Sequence, residues 1–105
     1  MSAPRGEGLR RLDKEIAGEK AATLGRAGER LEQAIQEAHA VAARLLAAKD
    51  EAERARLAHE YTAARARAIE SRVVLMIQRE ALGLRRHTTV DQQFPEPPAL
   101  ERLLR

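Results

Sequence analysis

The chain has 105 residues, a formal net charge of +3, one Phe, one Tyr, no Trp and no Cys. That length holds one domain with a modest core, and without aromatic bulk the core must come from Leu, Ile, Val, Met and Ala, which bury little area apiece. The lack of cysteine excludes disulfides, thiolate metal sites and thiol chemistry. No stretch reaches the ~20 apolar residues of a membrane span and the first residues carry no signal-like apolar run, so a cytoplasmic protein is expected.

Residues 1–8 contain Pro4, Gly6 and Gly8 and read as a flexible N-terminal arm. A helical pattern starts at Leu9. Leu9, Leu12 and Ile16 open one stripe; Leu24, Leu31, Ala38 and Leu45 then recur every seven residues, with Ala27, Ala34, Val41 and Ala48 three positions later. The two registers do not quite join across Gly18 to Thr23, which predicts a small irregularity there.

Neither Pro nor Gly interrupts Leu46 to Arg56, so a single helix from Leu9 to Leu82 is one reading. It would be about 110 Å long at 1.5 Å per residue. A turn near Lys49 and Asp50 is preferred, because Asp50 and Glu53 have the spacing of a variant capping box. The second helix then runs from about Glu51 to Leu82, with its stripe on Leu57, Tyr61, Ala64, Ala68, Leu75 and Leu82. Val73 to Ile77 are five consecutive apolar residues, enough to cover every side of a helix, and predict a segment buried all round. Gly83 is placed to end the helix in the left-handed conformation.

Beyond it, Thr88 and Thr89 precede Asp91 and Gln92 by three, a capping signal for a short turn carrying Val90 and Phe94. Pro95, Pro97 and Pro98 force an extended segment, and Pro98 at a first helical position would start a last helix over Ala99 to Leu104. If the hairpin turns at Lys49 and Asp50, residue i lies opposite about residue 99 minus i. Gly25 and Gly28 then face the bulky Val73 to Ile77 region and read as a groove for close helix packing, since a helix-interior glycine otherwise costs on the order of 1 kcal/mol relative to alanine. The alternative is glycines tolerated on a solvent face.

Searches for chemistry come back nearly empty. No glycine-rich phosphate loop or dinucleotide fingerprint is present, and Ser2 and Ser71 are too few to suggest a nucleophile. The residues three before His39, His59 and His87 are Gln36, Arg56 and Leu84, so no Glu-x-x-His pair supports a bundle metal site. No metal and no cofactor is expected. Gln78, Arg79 and Glu80 follow the apolar run and read as a structural polar network fixing the second helix to the tail; Glu80 is the lone acid that catalysis could use. Arg85, Arg86 and His87, with Arg10 and Arg11 near the same end of the hairpin, form a basic corner. It reads either as helix-end cations complementing the dipole or as a phosphate contact, and it has no interleaved aromatics for base stacking.

Gly18-Glu19-Lys20-Ala21-Ala22, Leu24-Gly25-Arg26-Ala27-Gly28, Ile77-Gln78-Arg79-Glu80, Gly83-Leu84-Arg85, His87, Val90 and the proline-led end together resemble a small family of short uncharacterised bacterial proteins, a domain of unknown function. The most specific part is Gln-Arg-Glu-x-x-Gly-Leu-Arg-x-His. Arg86 stands where that family would have an acid and Phe94 where Tyr is more usual. The resemblance implies a compact helical unit with a docked tail and implies no activity.

The expectation is therefore an all-α protein: an N-terminal arm over residues 1–8, a long antiparallel helical hairpin over 9–87, and a C-terminal turn and short helix over 88–105 docked over the hairpin's open end. Ala-rich helices of this size bury too little to stand alone, so the hairpin is expected to form a homodimer, a four-helix bundle. The functional expectation is a non-enzymatic helical interaction or assembly protein with a protein partner and no membrane contact. The alternative is a small basic nucleic-acid-binding accessory protein.

Overall fold

The computed structural model describes residues 5–105. Its chain folds into α1 (Arg5–Ala47), α2 (Glu51–Ala81), α3 (Thr88–Gln93) and α4 (Leu100–Leu103). The first two form an antiparallel hairpin, and no strand occurs among the described residues. A radius of gyration of 20.1 Å, against about 13 Å for a compact chain of this length, describes a rod of 78 × 22 × 15 Å. Among the described residues no helix is long and apolar enough to cross a membrane.

The turn falls where the capping signal placed it. Residues 48–50 leave the helix, and the Asp50 carboxylate accepts from the Ala52 backbone N–H at 3.0 Å. That satisfies one of the N–H groups a helix start leaves without a partner. The Arg54 guanidinium reaches back to the Ala48 carbonyl at 3.0 Å and closes the turn. At the other end of α2, Leu84 N–H donates to the Arg79 carbonyl and Gly83 N–H to the Glu80 carbonyl, both at 2.9 Å, with Gly83 at φ 85°. This is the paired termination that needs a residue without Cβ at the left-handed position.

Several boundaries differ from the sequence reading. Helix α1 begins at Arg5, so residues 5–8 are helical; residues 1–4 of the expected arm lie outside the described residues. There is no break between Gly18 and Thr23. Leu9, Ala27 and Leu45 are spaced by eighteen, about five full turns at 3.6 residues, so both parts of the stripe lie on one face of a straight helix. Helix α3 has Thr88 inside it, with His87 as its cap and no side-chain cap bond. Neither threonine caps it, and the acid expected to reciprocate, Asp91, pairs with Arg72 instead. Ala99 stays extended at ψ 150°, which delays α4 to Leu100.

The core is thin and falls into two clusters. Ala38, Val41, Ala42, Leu45 and Ala48 of α1 and its end meet Leu57, Tyr61 and Ala64 of α2, with Leu100 and Leu103 packed against them. Further from the turn, Ala27, Leu31 and Ile35 join Ala68, Leu75 and Val90, flanked by Phe94. The ion pairs Arg44–Glu60 and Glu37–Arg67 lie about five residues further along α2 than the expected register. Helix side chains tilt toward their own N-terminus, so in an antiparallel pair the two partners lean toward each other along the axis and meet off level.

Two expectations are overturned. Val73 to Ile77 is not buried all round: only Leu75 is buried, while Val73, Val74 and Ile77 are 50%, 39% and 59% exposed. A five-residue apolar run touches every side of a helix, but the fold supplies partners on the core and tail sides alone. The C-terminal segment, moreover, does not fold over the open end. It runs back along the hairpin toward the turn, which leaves the open end uncovered.

Candidate interaction surface

A polar ladder docks the tail along α2, and a basic corner and a set of exposed apolar side chains lie toward the open end of the hairpin. Helix α2 presents Arg65, Arg72 and Arg79 at seven-residue spacing on one flank of its core stripe. Each donates to a tail carbonyl: Arg65 Nε to Pro97 at 2.9 Å, Arg72 Nε to Phe94 at 3.0 Å and Arg79 Nη2 to Arg86 at 3.0 Å. Tyr61 Oη extends the ladder to the Pro98 carbonyl at 2.6 Å. The chemistry follows from composition. Pro95, Pro97 and Pro98 remove backbone donors and helical pairing from this segment, so its carbonyls accept from α2 side chains instead.

Arg72 is the centre of the ladder. Its side chain is only 14% exposed and also pairs with Asp91 and, at 3.8 Å, with Glu96. Burial pushes the Tyr61 phenol above its ordinary value of 10, partly opposed by the positive charge of Arg65. Of these four side chains only Arg79 was singled out as a tail contact by sequence reading, as part of the network fixing α2 to the tail; Tyr61, Arg65 and Arg72 were not. The seven-residue recurrence of Arg65, Arg72 and Arg79 was the available signal.

The polar network expected of Gln78, Arg79 and Glu80 is divided by the helix. Arg79 and Glu80 face the tail, and Glu80 Oε1 lies 2.9 Å from His87 Nε2. Gln78 lies on the other flank, lining a cleft with Ile16, Thr23, Ala81 and Leu82. Its Oε1, together with Arg79 Nε and His87 Nδ1, is buried without a hydrogen-bond partner.

Arg85 and Arg86 are exposed, make no ion pair among the described residues, and border a shallow cleft with Arg79, Gly83 and Thr89. Arg10 and Arg11 are not brought into it. Lys20 is level with Leu82 across the cleft, and Arg10 is ten residues nearer the N-terminus, about 15 Å further along α1. The basic corner therefore holds Arg85, Arg86 and the half-buried His87 without the first-helix arginines. His39 and His59 are exposed, and no group of three metal-ligating side chains occurs among the described residues.

The glycine groove is a further correction. A Cβ added at Gly25 or Gly28 would meet nothing within 4 Å, so neither residue provides close packing between α1 and α2. Gly25 lies on the exposed face of α1.

What remains is the apolar face. Every residue from Gly6 to Thr23 is exposed, and α2 ends level with Ile16 and Lys20, which line clefts with Ala81 and Leu82, so only the turns of α1 before them project. Leu9 and Leu12 on that projection and Ile16 at its base are 62%, 50% and 41% exposed. With Val73, Val74, Ile77, Leu82 and Leu84 they make eight exposed large apolar side chains at one end; Leu46 and Leu104 are the others among the described residues. No family model, curated protein or solved structure matches this chain.

Proposed function

We propose that this protein is a non-enzymatic helical assembly module that acts as a homodimer through the open end of its hairpin. The supporting observation is the concentration of Leu9, Leu12, Ile16, Val73, Val74, Ile77, Leu82 and Leu84 at that end, all exposed. Exposed apolar side chains concentrated at one end of a molecule favour an interaction site there, and the rod shape gives each chain too thin a core to hide them. The one acid with catalytic potential, Glu80, is engaged with His87 and its side chain is 57% exposed, which favours a structural role. Light scattering over a concentration series tests the proposal. The expected mass is twice the 11.7 kDa of the chain; a single-chain mass throughout would refute it.

The second reading is a small basic nucleic-acid-binding accessory protein. It draws support from Arg85 and Arg86, exposed beside the Gly83 and Thr89 cleft. Binding to DNA or RNA that weakens steeply with salt and is lost in Arg85→Ala plus Arg86→Ala would favour it, because each neutralised phosphate steepens the salt dependence.

A further inference from the structure

We infer that the cleft at the end of α2 is a binding site for a phosphate monoester group, held by the guanidiniums of Arg85 and Arg86 beside the charge of Arg79. The inference rests on the placement of Arg85 and Arg86 that the second reading uses, and it is independent of the assembly reading.

The cleft has a volume of about 450 Å³ and is lined by Arg79, Gly83, Leu84, Arg85, Arg86 and Thr89. Cations at a helix end ordinarily complement the negative end of the dipole. That accounts for Arg79, which lies in the last turn of α2 and whose Nη2 is occupied by the Arg86 carbonyl. Arg85 and Arg86 stand past the Gly83 reversal. The reversal already supplies donors to the Arg79 and Glu80 carbonyls, from Leu84 and Gly83 N–H at 2.9 Å, and neither guanidinium bonds a carbonyl of α2.

No acid neutralises the pair. Glu80 and Asp91, the nearest acids in sequence, are engaged with His87 and Arg72. Asp13 and Glu19 of α1 line clefts at Ala81 and Leu82 that share no residue with this one. Three like charges therefore border one cleft, and their counter-charge comes from solution.

The backbone that carries them is fixed in advance. Leu84 N–H is tied to the Arg79 carbonyl, Arg79 Nη2 holds the Arg86 carbonyl at 3.0 Å, and His87 Nε2 lies 2.9 Å from Glu80 Oε1. The two arginines stand between these ties, so an arriving anion orders side chains without ordering the chain.

The cations also select the ligand. A single guanidinium fork satisfies a carboxylate. A phosphate monoester carries a charge of about −1.5 to −2 on three acceptor oxygens at neutral pH, which matches two forks beside a further cation. A nucleic-acid strand needs cations in a row along its phosphates, whereas Arg10 and Arg11, which would prolong the row, lie about 15 Å away along α1. The cleft has no aromatic side chain on which a base could stack.

Isotope-labelled full-length protein, titrated with inorganic phosphate at constant ionic strength and followed by its amide resonances, tests the site. Saturable shifts confined to Arg79 and residues 83–89 are expected. Arg85→Ala plus Arg86→Ala, at exposed positions, should weaken binding at least about tenfold through loss of charge-assisted bonds, with circular dichroism unchanged. Arg10→Ala plus Arg11→Ala removes the same charge elsewhere and should leave the affinity as it was. Shifts that never saturate, or equal weakening by the Arg10 and Arg11 changes, overturn the site. A short single-stranded oligonucleotide is then compared with and without a terminal phosphate. Tighter binding with that phosphate is expected; equal affinity overturns the monoester assignment and leaves the nucleic-acid reading standing. A single-chain mass in light scattering refutes the assembly reading alone.

Discussion

Around Leu45 and Leu57, which are 1% and 0% exposed, the hairpin is enclosed by two helices and by the returning tail. Around Leu12 and Ile77, 50% and 59% exposed, residues of the same chemistry on the same two helices meet solvent. On α1 periodicity does not separate the two regions, because its stripe runs through both, whereas on α2 Ile77 lies off the stripe of Leu57 and Leu75. Partner supply separates them. Near the turn α1 has α2 on one side and α4 over the groove; beyond Ala81 the chain has already reversed at Gly83, and α1 continues alone. An apolar stripe states that a helix face requires cover without specifying whether its own chain supplies it.

The sharpest test of this contrast is truncation of one leucine in each region. Leu57→Ala should lower unfolding free energy by about 2–5 kcal/mol, the range for a fully buried leucine, as measured by urea denaturation. Leu12→Ala should leave the intrachain hairpin nearly unaffected and act on the mass of the assembly. If Leu12→Ala destabilised a dilute monomer as much as Leu57→Ala, the distinction between the regions would fail.

A smaller effect is expected where the tail joins the two halves. Arg72→Ala removes the donor to the Phe94 carbonyl and the pairings with Asp91 and Glu96. A hydrogen bond from a charged group contributes about 1.5–3 kcal/mol, and that loss should appear as faster hydrogen exchange and proteolysis across 88–105 while the turn at Asp50 stays protected. Unchanged protection of the tail would show that Val90 and Leu100 hold it without the ladder.

Tyr61→Phe keeps the ring and deletes the bond to the Pro98 carbonyl, at a cost of about 1 kcal/mol. It also carries a pH signature. The folded-state pKa of Tyr61 is raised above the unfolded value near 10, so the folded state holds this proton more tightly. Its contribution is complete below pH 10 and is lost as pH rises through the raised folded value. Chemical denaturation between pH 9 and 11 should therefore show a decline in wild type that is shallower in Tyr61→Phe; parallel curves would remove the phenol as the cause.

The smallest change is expected at the surface of the open half. Gly25→Ala meets open space and replaces a poor helix former, so it should stabilise by up to about 1 kcal/mol. A loss of stability there would reinstate the close-packing groove that the hairpin contacts exclude.

The elements themselves were legible because they depend on local rules. The seven-residue recurrence from Leu24 to Ala48 gave α1, Asp50 gave the turn by offering an acceptor to an orphan N–H, and Gly83 ended α2 because the paired carbonyl bonds demand a left-handed residue. The candidate surface was legible only in part. Arg85 and Arg86 were named and are exposed together, but Arg10 and Arg11 sit about 15 Å away along α1, a separation that depends on how far α1 outruns α2. The apolar run at Val73 to Ile77 announced a requirement for burial and could not state which sides would be met.

By itself, then, the order of residues determined what is local: the helices, their shared apolar stripe, the cap at Asp50 and the reversal at Gly83, all decided by interactions within a few residues along the chain. Tertiary structure alone decided the direction of the tail, the service of Arg65 and Arg72 as donors to carbonyls of the proline segment, and the uncovered state of Leu12 and Ile77. The reason is that proline segments leave carbonyls whose donors must come from elsewhere, and apolar faces accept whichever surface geometry brings within reach.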